Sequence, residues 1–167
     1  MNIFILRHGL AVEAGACGFT KDSERPLTPK GRRKLRKIGR TMRKLELSFD
    51  CILSSPYMRA RQTAEIIADR LGLGKKLELS EELTPGGSYR KLIDEIKQRD
   101  PQPDDLLLVG HEPYLSELIS FLISGDAEVV VTMKKGGLCH LAVEALRQSQ
   151  CARLEWLLTP KQLCLIT

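Results

Sequence analysis

Two histidines and two arginines carry the chemistry that this sequence is equipped to do. Arg7-His8-Gly9 follows the apolar run 3–6. Ser54-Ser55-Pro56 follows the shorter run 51–53, with Arg59 close behind, and Gly110-His111-Glu112-Pro113 follows the run 106–109. A guanidinium is a permanent cation whose planar fork matches the oxygens of an oxyanion. An imidazole near neutral pH is a nucleophile, a base or a hydrogen-bond donor. Two of each suit a compact dianion, and phosphate is the obvious candidate. No one of these residues carries that reading alone; their joint appearance at the ends of apolar runs does.

The elements that must bring them together are an alternation of strands and helices, so an α/β domain with a largely parallel sheet is expected. The unbroken runs 3–6 and 106–109 suit central strands covered on both faces, and 51–53 is a third. Weaker strand candidates are 77–79, 128–132, 138–143 and 153–158. Apolar stripes at helical spacing begin after Pro29, Pro56, Ser88 and Pro113. Thr28-Pro29, Ser55-Pro56 and Glu112-Pro113 each set a capping side chain before a proline, and Gly72 and Gly125 are placed as helix stops. In an open parallel sheet the ligand crevice lies outside the carboxyl ends of the strands. If the three strands are parallel, Arg7, His8, Arg59 and His111 converge there, with helix amino ends aimed at the same anion.

These motifs together resemble the histidine phosphatase superfamily, whose fold is phosphoglycerate mutase-like. Leu6-Arg7-His8-Gly9 is similar to its first motif. Ser54-Ser55-Pro56 with Arg59 and Gln62-Thr63-Ala64 is similar to the second, and Gly110-His111 to the third. Arg25-Pro26-Leu27-Thr28, Glu82-Leu83-Thr84-Pro85, Trp156, Pro160 and Leu163 narrow the resemblance to the SixA-type phosphohistidine phosphatases. It covers essentially the whole chain, 1–167, as one domain. It implies a three-layer sandwich with a mostly parallel central sheet flanked by helices. It implies His8 as the nucleophile, phosphorylated in the reaction, with Arg7, Arg59 and His111 holding the phosphoryl oxygens. Gly9 and Ser55 are expected to line the substrate pocket. No cofactor and no metal are expected. A three-histidine metal site including His140 is disfavoured, because Arg7 and Arg59 would repel a cation; His140 reads as structural.

The acid decides the substrate class. An alkoxide leaving group needs a proton donor, and Glu82 is the candidate, with Glu81 its rival. A phosphohistidine needs less help, because its protonated ring departs neutral. The chain has little length to spare for a lid, which implies an open pocket suited to a phosphorylated side chain on another protein, such as a phosphorelay histidine domain. The alternatives are a small phosphomonoester on the same site, or a phosphate-binding module without turnover. Residues 10–26 are a possible flap.

Composition sets the outer bounds. The chain has 167 residues, 43% hydrophobic and 28% charged, which is ordinary for a globular domain. No run approaches the roughly 20 apolar residues of a membrane span, and a cytoplasmic location is expected. Five cysteines (Cys17, Cys51, Cys139, Cys151, Cys164) without a C-x-x-C pair read as reduced thiols. The net charge is +5, yet residues 30–44 hold nine basic residues and no acid; the remainder has seventeen basic against twenty-one acidic. The excess is therefore one helix face. It is either a solvated surface or a docking patch for an acidic partner; nucleic acid is not favoured.

Overall fold

The computed structural model describes residues 1–16 and 18–166. Cys17, and with it any statement about its thiol, lies outside the described residues. Among the described residues six strands form one sheet, in the edge-to-edge order Leu77–Leu79, Cys51–Ser54, Asp105–Gly110, Asn2–Arg7, Leu138–Val143 and Ala152–Leu158. They are β1 (Asn2–Arg7), β2 (Cys51–Ser54), β3 (Leu77–Leu79), β4 (Asp105–Gly110), β5 (Leu138–Val143) and β6 (Ala152–Leu158). The first four run parallel; β5 and β6 are antiparallel additions at one side. Five α-helices among the described residues cover the faces: α1 (Pro29–Lys44), α2 (Met58–Leu71), α3 (Tyr89–Lys97), α4 (Tyr114–Ser124) and α5 (Pro160–Leu165).

Side chains of a strand alternate between faces, and the two cores follow from that. Ile3, Ile5, Leu106 and Leu108 point toward α3 and α4, packing on Leu92, Ile93, Leu115 and Leu118. Phe4, Leu6, Leu107 and Val109 point toward α1, α2 and α5, packing on Leu35, Ile38, Ala64 and Leu163. Burying each large aliphatic side chain contributes roughly 1.5–3 kcal/mol. The result is a three-layer sandwich, one mostly parallel sheet between two helix layers.

Several local expectations need correction. Residues 128–132 form no strand. Val130 is 93% exposed, and the nearby backbone N–H groups donate to side chains instead: Glu128 N to Asp126 Oδ1 and Val129 N to Ser120 Oγ. The helix after Pro56 starts at Met58, and Ser55 Oγ is shared between Tyr57 N and His111 Nε2. The helix after Pro113 starts at Tyr114, with the Glu112 carboxyl bonded to Ser116 near the start of that helix. Thr28 does cap α1, accepting from Gly31 N at 3.0 Å. Gly72 and Gly125 end α2 and α4 with φ of 72° and 92°, where a side chain would be strained. The short helix α5 shows no apolar stripe in the sequence; a capping box of Thr159 and Gln162, with Pro160 at the first helical position, starts it. No helix among the described residues is long and apolar enough to cross a membrane.

Candidate active site

Strand register brings the three motifs to one edge. Arg7 pairs with Gly110, and Ser54 with Val109. The pairing runs one residue past the strands: His8 N donates to Gly110 O at 3.1 Å and Ser55 N to Val109 O at 2.9 Å. His8, Ser55 and His111 are thereby fixed side by side on β1, β2 and β4, and the first turn of α2 supplies Arg59. The rings of His8 and His111 have centroids 5.1 Å apart, and all of His8, Ser55, Arg59 and His111 are buried.

The protonation of His8 follows from its neighbours. Nδ1 lies 2.7 Å from Gly9 O; a carbonyl only accepts, so Nδ1 carries the proton and Nε2 the lone pair. Arg59 Nε donates to that lone pair at 3.2 Å. Burial first, then the charges of Arg59, Arg7 and Lys135, push the ring pKa down to about 3 against the Gly9 hydrogen bond. Neutral His8 is the consequence, with its lone pair facing a cation.

His111 Nε2 is 2.8 Å from Ser55 Oγ, which also accepts from Tyr57 N at 3.3 Å. Burial, Arg59 and His8 push the His111 pKa down to about 3 as well. Arg7 Nη1 donates to Met133 O at 2.7 Å, while its buried Nε has no partner; neither has His111 Nδ1. Gly9 N donates to Thr63 Oγ1 at 3.1 Å, and Thr63 donates to Arg59 O at 2.7 Å. A Cβ on Gly9 would meet the end of the Leu35 side chain at 2.7 Å, so a larger residue here requires Leu35 to shift.

The structure also gathers residues that the sequence did not mark. The turn at Asp22–Glu24 reaches back to the cluster. Arg59 Nη1 donates to Asp22 O at 2.8 Å and Nη2 to Asp22 Oδ2 at 2.9 Å. Burial works to raise the Asp22 carboxyl, but hydrogen bonds from Arg25 and Arg59 outweigh it and hold the group below its ordinary range. Glu112 is a second carboxyl at this edge. Burial pushes its pKa up, opposed by Ser116 and by the charge of Arg7, and its buried Oε1 has no partner. An acid three residues before Arg25 was the available signal for Asp22. Local spacing marks Glu112 only as a cap and gives no sign of its burial or of the Arg7 charge acting on it.

Glu82 lies in the 3-10 turn Glu81–Leu83, where its Oε2 accepts from Ser88 N at 2.9 Å at the start of α3. No hydrogen bond or ion pair joins Glu82 or Glu81 to Arg7, His8, Arg59 or His111. His140 stacks on Phe4 with centroids 4.3 Å apart and bonds Asn2 Oδ1 at 3.0 Å, within the sheet and apart from the other two histidines.

A family model described as the histidine phosphatase superfamily (branch 1) matches residues 3–108. The phosphohistidine phosphatase SixA of Escherichia coli is 28% identical over 161 residues, 96% of this chain and 94% of that protein. The SixA homolog of Haemophilus influenzae is 35% identical over 130 residues, 73% and 77% of the two chains. Among solved structures, the protein histidine phosphatase SixA complexed with tungstate superposes with a TM-score of 0.82 and 27% identity, covering 98% of this chain and 99% of that one.

Proposed function

We propose that this chain, which belongs to the histidine phosphatase superfamily and is of SixA type, removes phosphoryl groups from phosphohistidine on other proteins through a phosphorylated His8. The observation that carries the reading is the state of His8: Nδ1–H tied to Gly9 O, Nε2 unprotonated, and Arg59 beside it.

In the first step His8 Nε2 attacks phosphorus and the N–P bond of the substrate breaks. The leaving imidazole takes its electron pair and departs neutral if its ring is already protonated. In the second step water attacks the phosphorus on His8, releasing inorganic phosphate and restoring the ring. Arg7 and Arg59 balance the charge on the phosphoryl oxygens in both steps, and His111 completes the cradle with Ser55 behind it. Preorganised cations of this kind are usually the largest catalytic term for phosphoryl transfer. The tungstate in the SixA structure, a tetrahedral oxyanion, supports a phosphate-sized site. The decisive experiment follows release of phosphate from a histidine-phosphorylated phosphorelay domain. Loss of release in His8→Ala, and trapping of label on His8 in the wild type, are expected; full activity in His8→Ala overturns the reading.

A second reading, hydrolysis of small phosphomonoesters at the same site, rests on Glu112. A carboxyl pushed up by burial beside Arg7 is a proton donor of the kind an alkoxide leaving group requires. Glu82 competes for that role.

A further inference from the structure

We infer that α1 and the loop 133–137 form a docking surface for an acidic segment of the phosphorylated protein, with one apolar side chain seated between Lys30, Lys34 and Lys135. The inference rests on the phosphoprotein reading above and names what that protein must look like beside its phosphoryl group.

The first observation is a cleft of 220 Å³ that begins at Gly9, the residue after the nucleophile. Its floor is Leu10, Leu35 and Ile38, and its rim is the three lysines. Lys135 comes from a different element than the other two and is held in place by the active-site strand itself. Gly136 N donates to Arg7 O and His8 O at 3.0 and 3.1 Å, and Arg7 N donates to Gly137 O at 3.1 Å. The floor is equally fixed. A Cβ on Gly31 would stand 2.2 Å from Leu10 O, so α1 and the turn after His8 are in backbone contact. A preformed cleft costs little to order on binding.

The second observation is the charge of α1. None of its nine Lys and Arg side chains has an acidic partner among the described residues. Lys30 and Lys34, like Arg33 and Lys37 or Arg40 and Lys44, are like charges four residues apart, which destabilise a helix. The first turn holds basic residues and no acid, the wrong sign for a helix amino end. An uncompensated stripe of this sort fits an external acidic surface. Sixteen residues at about 1.5 Å each make the stripe about 24 Å long, the scale of a macromolecule and not of a metabolite. The occupant is a protein, because the cleft adjoins the pocket that the phosphorylated side chain enters and its floor is apolar.

Two phosphohistidine peptides test this. One carries Asp and Glu with a Leu near the phosphohistidine, and the other carries Lys in place of the acids. Turnover is measured on the wild type and on Lys30→Glu/Lys34→Glu. Affinity is read separately, by anisotropy of the labelled peptides on His8→Ala with and without the same charge reversals. The wild type should favour the acidic peptide by roughly tenfold in kcat/KM at low salt, and the preference should shrink as salt rises. The double variant should lose or invert it while still hydrolysing p-nitrophenyl phosphate, since neither lysine bonds to Arg7, His8, Arg59 or His111. Equal affinity for both peptides, or an unchanged preference in the double variant, overturns the docking surface and leaves the phosphohistidine reading standing. Preferential binding of the acidic peptide without hydrolysis of either overturns that reading and keeps the surface. A short DNA duplex bound more tightly than the acidic peptide assigns the stripe to nucleic acid and overturns the inference.

Discussion

Asp22 grips Arg59 by its outer edge, Oδ2 to Nη2 at 2.9 Å, while the inner edge of the same guanidinium donates from Nε to His8 Nε2 at 3.2 Å. A flexible side chain is thus clamped by Asp22 so that its Nε faces His8. The clamp is continued by Arg25, which donates to Asp22 Oδ1 and to Val12 O.

Asp22→Ala should therefore lower kcat/KM for any phosphoryl substrate by up to about 100-fold, the scale of a group misplaced by about 1 Å, without unfolding the protein, since the carboxylate is half exposed. Asp22→Asn keeps an acceptor in place and should recover part of the loss. Steady-state kinetics of the two variants decides. Equal damage in both would mean that charge, not position, is what Asp22 supplies.

Ser55 should matter through His111. Its hydroxyl is the partner of a buried ring nitrogen and also accepts from Tyr57 N. Ser55→Ala leaves both unmet, and a buried polar group without a partner costs about 1–3 kcal/mol. A fall of that size in urea-unfolding stability is expected, together with a loss of kcat. Wild-type values in both would show that His111 is held by its backbone alone.

Much of the site was readable because parallel strands convert separation along the chain into proximity at one edge. Apolar runs ending in Arg7-His8, Ser54-Ser55 and Gly110-His111 are enough to place three motifs side by side once the strands are parallel. What was not readable comes from segments without periodicity. Asp22 sits in a loop that carries no strand or helix pattern, and its contact with Arg59 spans 37 residues. Ser55 and Glu112 look like helix caps from local spacing and do hold local partners, Tyr57 N and Ser116, but nothing local shows that Ser55 Oγ also meets His111 across 56 residues. The apolar residues 129–131 mimic a strand, but Ser120 and Asp126 capture the neighbouring backbone N–H groups.

The two active-site histidines should make the fold sensitive to acid. Both have pKa values near 3 in the folded protein and near 6.5 when unfolded. Between those values the unfolded chain binds more protons, so stability falls as pH drops from about 6.5 toward 3, by at most about 1.4 kcal/mol per pH unit for each ring. His8→Ala removes one of these contributions. Its urea midpoint should decline less steeply than that of the wild type over the same range, and wild-type kcat/KM should show no acid limb at 6.5. Parallel midpoint curves for the two proteins would contradict neutral, buried His8.

Whether the site can serve alkoxide leaving groups turns on one carboxyl. Glu112 has its pKa raised by burial and sits beside Arg7, whereas the Glu82 carboxylate is committed to Ser88 N. p-Nitrophenolate leaves without a proton, but a sugar alkoxide does not. Glu112→Gln should then leave p-nitrophenyl phosphate hydrolysis nearly intact while cutting turnover of a sugar phosphate by about 100-fold, within the usual range for an acid catalyst. Glu82→Gln should affect both substrates alike and modestly, through the start of α3. The reverse pattern, a selective loss in Glu82→Gln, would return the acid role to the turn before α3. If neither variant discriminates, phosphohistidine, whose ring can depart neutral, is left as the substrate class that this constellation handles unaided.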